Sequence, residues 1–146
     1  MNKAIRVHRT GPASVLKWED VTITSPKPGE VIIRNTAIGL NFIDTYHRKG
    51  LYPLPTPFTP GVEGAGVIEA LGTKVEGLKI GDRVTYCSDP IGSYSEKRCF
   101  PADRLIKIPR GITDEQAASM MLKGLTAAML LKHIYVPKPS DTILVH

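Results

Sequence analysis

Residues 28–37 read Pro-Gly-Glu-Val-Ile-Ile-Arg-Asn-Thr-Ala, and the alternation inside this stretch decides the fold. Pro28-Gly29 supplies a turn. Beyond it Val31, Ile33 and Asn35 fall on one face of a strand and Ile32, Arg34 and Thr36 on the other. The same period of two, broken by Gly and Pro, recurs on both sides. Lys3–Val7 and Leu16–Val21 precede it, and Gly66–Leu71, Arg83–Cys87, Tyr94–Phe100 and Leu105–Ile108 follow. Many short strands with this punctuation predict a mainly β chain, a sandwich or barrel, over roughly the first hundred residues.

Two segments interrupt the strands. Phe42–Arg48 reads as a short helix, with Asn41 as N-cap, Asp44 three residues on and Gly50 beyond its end, placing Tyr46 and His47 near the C-terminus. Tyr52–Pro60 carries Pro53, Pro55, Pro57 and Pro60, which remove backbone donors and forbid regular helix, so it is an extended loop.

At Gly111 the character changes. Thr113 and Gln116 form a capping-box pattern opening an Ala-, Met- and Leu-rich run, which Gly124 is expected to divide into two helices. In the second, Ala127, Leu130, Leu131 and Ile134 recur at helical spacing before Pro137 and Pro139 end it. Thr142–Val145 then begins an apolar strand, reading as the first of a parallel α/β unit whose partner strands are not in the sequence.

At 146 residues, 42% hydrophobic and 23% charged, the chain has the composition of a globular domain able to bury a core without disulfides. The net charge of +5 is spread singly, as on a solvated surface, so neither a nucleic-acid partner nor a membrane is expected. No apolar run approaches the roughly 20 residues that span a bilayer, and MNKAIRVHRTG has no signal-peptide core. A cytoplasmic location is expected, with Cys87 and Cys99 reduced.

Five ordered segments carry a family resemblance. They are Ala37-Ile38-Gly39-Leu40-Asn41-Phe42-Ile43-Asp44-Thr45-Tyr46, Gly50-Leu51-Tyr52-Pro53, Pro60-Gly61-Val62-Glu63-Gly64-Ala65-Gly66-Val67, Gly81-Asp82-Arg83-Val84 and Lys123-Gly124-Leu125-Thr126. Together they resemble the medium-chain dehydrogenase/reductase superfamily, in its zinc-free quinone oxidoreductase branch that includes zeta-crystallin. The resemblance implies a GroES-like β barrel with short helices over 1–123. Residues 124–146 would then be helices and a first strand leading into a Rossmann domain that this sequence does not contain. It further implies NADPH as cofactor, a quinone as substrate, homodimers in full-length relatives, and a chain that is a front part, inactive by itself. The Gly-rich turn that holds the cofactor pyrophosphate would lie after His146.

Zinc alcohol dehydrogenases of the superfamily place a Cys where this chain has Asn41 and a His where it has Val62. Neither replacement supplies the thiolate or imidazole that zinc prefers, and no four-cysteine cluster is present, so no metal is expected. Without a Lewis acid, alcohol oxidation loses its main electrostatic device, whereas an electron-poor quinone accepts hydride readily once the partners are aligned.

By resemblance, Asn41, Tyr46, Tyr52 and Thr126 line the cleft beside the nicotinamide or the substrate. Asn41, Thr126 and Phe42 would bind cofactor, and Tyr46 and Tyr52 would be the catalytic phenols, hydrogen-bonding a quinone oxygen as hydride arrives. Each has a plainer reading: Asn41 as a helix cap, the two tyrosines as half-buried aromatics, Thr126 as a cap after Gly124, Phe42 as core. Asp44 is assigned to the helix start. Glu63 is set aside, because its role in zinc relatives relates to the metal. Two readings of other classes stand beside the reductase: a GroES-like barrel used for binding without catalysis, and a zinc alcohol dehydrogenase.

Overall fold

The computed structural model describes residues 1–144. Among these residues seven strands form in chain order: β1 Asn2–Val7, β2 Leu16–Val21, β3 Glu30–Gly39, β4 Glu63–Leu71, β5 Arg83–Cys87, β6 Lys97–Pro101 and β7 Ile106–Lys107. Two α-helices, α1 Phe42–Lys49 and α2 Asp114–Met129, accompany them. The strands make an antiparallel five-stranded sheet in the order β6-β3-β4-β5-β7 and a β1-β2 ribbon. Bridges Ala4 to Ser95 and Val7 to Phe58 stitch the ribbon onto the rest. The mainly β fold expected from the sequence is therefore present.

The alternation in β3 works as read. Val31 and Ile33 are fully buried and join Ile68, Val84, Tyr86 and Phe100 in the main core, while Arg34 and Thr36 face outward. Each such aliphatic side chain contributes about 1.5–3 kcal/mol by leaving water. The guanidinium of buried Arg98 lies 4.6 Å from the Phe100 ring centroid and 5.1 Å from that of Tyr86, closing one side of this core. A second, smaller cluster joins Ala65 and Ile108 to Ala117 and Ala118 and seats α2 against the sheet.

Several expectations need correction. β4 starts at Glu63 rather than Gly66 because its first residues, glycine-rich, show no side-chain alternation. Gly66 is required there: a Cβ would sit 2.2 Å from the Arg34 carbonyl oxygen across the ladder. β6 starts at Lys97 rather than Tyr94, since the backbone of Tyr94 bonds to Pro60 and that of Ser95 bridges to Ala4.

Gly124 does not divide the helical run. α2 passes through it unbroken, so the 123/124 junction lies inside one helix, and a π-helical turn at Leu130–Ile134 continues it. A glycine costs a helix only about 1 kcal/mol, which flanking Ala, Leu and Met offset. Residues 142–144 form no strand, because no neighbour among the described residues supplies a ladder; Val145 lies outside the described residues. No helix among the described residues is long and apolar enough to cross a membrane.

Candidate functional site

The site gathers where the end of β3, the start of α1, the start of β4 and the middle of α2 meet. β3 reaches it because Gly39 has no side chain: a Cβ there would stand 2.2 Å from the Ala118 carbonyl oxygen and 2.6 Å from Glu63 Oε2. The chain then turns into α1 at Asn41, whose backbone is extended and whose N–H donates to Asp44 Oδ2 at 2.9 Å. Gly50, at φ 83°, ends the helix in the left-handed conformation. The cap expected from the sequence is thus in place, and it uses the Asn41 backbone.

The Asn41 side chain is engaged elsewhere. Its Nδ2 donates to Glu63 Oε2 at 2.7 Å, and its Oδ1 accepts from Lys123 Nζ at 2.9 Å. Glu63, 0% exposed, also accepts the Leu122 backbone N–H at Oε1 (2.8 Å) and lies 3.2 Å from Lys123 Nζ. An isolated buried carboxylate costs several kcal/mol. Here donors from Asn41, just ahead of α1, and from α2 satisfy both oxygens, and the Lys123 ammonium balances the charge. Lys123 keeps 56% of its side chain exposed, at the edge of a cavity of about 480 Å³ lined by Ile38, Gly39, Leu40, Ala118 and Ser119.

Behind α1, Asp44 is buried and accepts the Tyr94 hydroxyl at 2.9 Å. Burial pushes the Asp44 carboxyl above its usual range, against the pull of the Asn41 N–H and the Tyr94 hydroxyl. Burial and the neighbouring Asp44 also raise the Tyr94 phenol. Asp44 therefore belongs to the helix start, as expected, and to the packing behind it.

Tyr46 and Tyr52 meet edge to face, with centroids 5.5 Å apart and planes at 75°. The loop returns to α1 because the Leu51 N–H bonds to the Tyr46 carbonyl. Of the five tyrosines, Tyr86, Tyr94 and Tyr135 give their hydroxyls to Asn35, Asp44 and Asp141. Those of Tyr46 and Tyr52 engage no described residue, and Tyr52 is 50% exposed.

Phe42 is 80% exposed, which overturns its reading as core: α1 turns Asp44 and His47 inward and leaves Phe42 on the opposite side. Thr126 is no cap. It sits inside α2, its hydroxyl donating to the Leu122 carbonyl at 2.8 Å, one turn past Lys123 on a neighbouring face. The structure thus brings Asn41 into one cluster with Glu63 and Lys123, and Tyr46 into another with Tyr52. No hydrogen bond among the described residues joins these clusters or ties Thr126 to either.

Glu63 and Lys123 are the residues that sequence reasoning undervalued. The available signal was an acidic residue inside a glycine-rich strand start, since a carboxylate is almost never fully buried without a partner. Lys123, in the quoted Lys123-Gly124-Leu125-Thr126 segment, is that partner.

The donor set does not fit zinc. Asn41 offers a neutral amide in place of a thiolate, Val62 offers an apolar side chain, and no group of three His, Cys, Asp or Glu among the described residues is placed to hold a metal.

A glycine-punctuated antiparallel sheet, a capped helix on its β3–β4 connection and a helix closing over a buried carboxylate define the class. The chain belongs to the family described as alcohol dehydrogenase GroES-like domain, whose profile matches residues 27–110. Its relatives within that family include quinone oxidoreductases. One from Pseudomonas aeruginosa is 48% identical over 147 residues, covering 100% of this chain and 45% of the relative. The solved structure of Escherichia coli quinone oxidoreductase complexed with NADPH has a TM-score of 0.92 and 41% identity, over 95% of this chain and 43% of that one. A 2-haloacrylate reductase from Burkholderia sp. is 43% identical over 152 residues, covering 100% of this chain and 46% of the relative. The chain therefore spans about 45% of the length of the curated relatives it matches.

Proposed function

We propose that this chain is the substrate-domain portion of an NADPH:quinone oxidoreductase that passes reducing equivalents to a quinone without a metal. The observation that carries the reading is the oriented Asn41 amide, locked by Glu63 and Lys123, next in the chain to the exposed Phe42. The likeness to an NADPH-complexed quinone oxidoreductase supports it.

NADPH, when bound, supplies the hydride. The chain's own residues would grip and align the reacting groups. Asn41, Thr126 and Phe42 would hold the nicotinamide end, Asn41 by its remaining N–H and lone pair and Phe42 by apolar contact. The hydroxyls of Tyr46 and Tyr52, which engage no described residue, would donate to the quinone oxygens, stabilising negative charge as it develops. Residues 1–123 would act as the catalytic domain and 124–146 as the start of the nucleotide-binding one. A cytoplasmic location and a homodimeric full-length protein belong to the same reading.

The test is NADPH oxidation by the full-length protein carrying this sequence, with 1,4-benzoquinone as acceptor and no added metal. Saturable, chelator-resistant turnover supports the reading, and absence of turnover with a panel of quinones refutes it. A second reading, reduction of an activated carbon–carbon double bond in a small anionic acrylate, is favoured by the 2-haloacrylate reductase relative. The half-exposed Lys123 ammonium suits a substrate carboxylate. Comparing kcat/KM for 2-chloroacrylate and benzoquinone decides between them.

A further inference from the structure

The Asn41 carboxamide is held by two partners that each work in one direction. A carboxylate only accepts, so the group facing Glu63 must be Nδ2; an ammonium only donates, so the group facing Lys123 must be Oδ1. A half-turn of the amide would set an oxygen against Glu63 and N–H groups against Lys123, breaking both bonds. Glu63 cannot swing away to relieve this, because its other oxygen is tied to the Leu122 backbone N–H and the whole group is buried. Gly39 closes the remaining space, leaving β3 against Glu63 and the Ala118 carbonyl.

We propose that Glu63 is a positioning residue of this site, acting through Asn41: it fixes which N–H and which lone pair of the Asn41 amide are presented to the ligand. The proposal rests on the reading of Asn41 as a contact to the nicotinamide cofactor. Glu63 does this as a hydrogen-bond acceptor that needs both oxygens. A glutamine there keeps the size but turns one acceptor into a donor, facing either Leu122 N–H or Asn41 Nδ2 with another donor. The amide of Asn41 is then released from its single orientation.

The experiment is a double-mutant cycle in the full-length protein carrying this sequence, reading KM for NADPH, kcat and melting temperature for E63Q, N41A and the double variant. Glu63→Gln is expected to raise KM about tenfold, the equivalent of one hydrogen bond to a charged group. It should leave kcat nearly unchanged, as for lost binding, and Glu63→Asp should recover part of the effect. In the N41A background the same change should move KM by less than about twofold, because the residue it acts through is gone. An equal KM effect in both backgrounds overturns the proposal, and so does a fall in melting temperature with KM unchanged. If N41A alone leaves KM for NADPH unchanged, the cofactor reading of Asn41 falls first, a separate result. Should E63Q fail to fold, Lys123→Met at its half-exposed position enters the same cycle: non-additivity with N41A supports the lock and additivity overturns it.

Discussion

Replacing Gly39 by alanine tests whether the contact between β3 and α2 is as close as the site geometry requires. The added Cβ would meet the Ala118 carbonyl oxygen at 2.2 Å and Glu63 Oε2 at 2.6 Å, where ordinary contacts are 3.4–4 Å. One of those neighbours is backbone inside a helix, so α2 must retreat by more than an ångström. Such overpacking costs about 1–3 kcal/mol. The retreat also pulls Leu122 N–H away from Glu63, forfeiting a hydrogen bond to a charged group worth about 1.5–3 kcal/mol. Together, about 2.5–6 kcal/mol corresponds to a fall in melting temperature on the order of 10–20 °C for a chain of this size. Gly124→Ala is the internal control. Nothing lies within 4 Å of its would-be Cβ and the residue is helical, so alanine there should stabilise by about 1 kcal/mol. Thermal unfolding followed by circular dichroism reads both. A Gly39→Ala variant melting within about 3 °C of the parent would refute the close packing of the two elements, and destabilisation by Gly124→Ala would refute the unbroken helix.

Three further outcomes follow from the same structure. Asp114 is pushed up by burial but drawn down more strongly by Thr36 and Arg83, so its folded carboxyl lies below its ordinary value of 3.8. A depressed folded value means that its stabilisation is complete above that pH and is lost as pH falls towards the folded value. Asp114→Asn should cost about 1–2 kcal/mol at neutral pH and flatten the acid limb of a urea-midpoint titration; an unchanged limb counts against the pairing. Removing the hydroxyls by Tyr46→Phe and Tyr52→Phe should lower kcat/KM for the quinone about tenfold each while leaving stability within about 0.5 kcal/mol, and unaffected kcat/KM would remove the phenols from the reaction. Elemental analysis of protein purified without chelator should find well under one zinc per chain, and stoichiometric tightly held zinc would overturn the metal-free proposal.

The strands were legible where side chains alternate, as in β3, since that period follows from local backbone geometry alone. Legibility failed at 63–65, the start of β4, where Gly64 interrupts the side-chain pattern and burial does not alternate, and at Gly124, where a local helix breaker is outvoted by its neighbours. The resemblance placed Asn41, Tyr46 and Tyr52 near a site. It could not show that the two tyrosines pack edge to face, nor that Phe42 stands exposed while Asn41, its neighbour in the chain, is buried, because exposure depends on which elements cover a residue.

Glu63 marks the division most clearly. By itself the sequence determined a mainly β chain, a capped α1, the Thr113–Gln116 start of α2 and the lack of zinc ligands at Asn41 and Val62, all settled by residue type and near-neighbour spacing. Only the tertiary structure decided that Glu63 is a buried hub. Its partners Asn41, Leu122 and Lys123 lie 22, 59 and 60 residues away, and no local pattern records which donors a fold brings to a carboxylate. Burying a charge is costly until those distant donors arrive, so the meaning of Glu63 exists only once β4 and α2 have packed together.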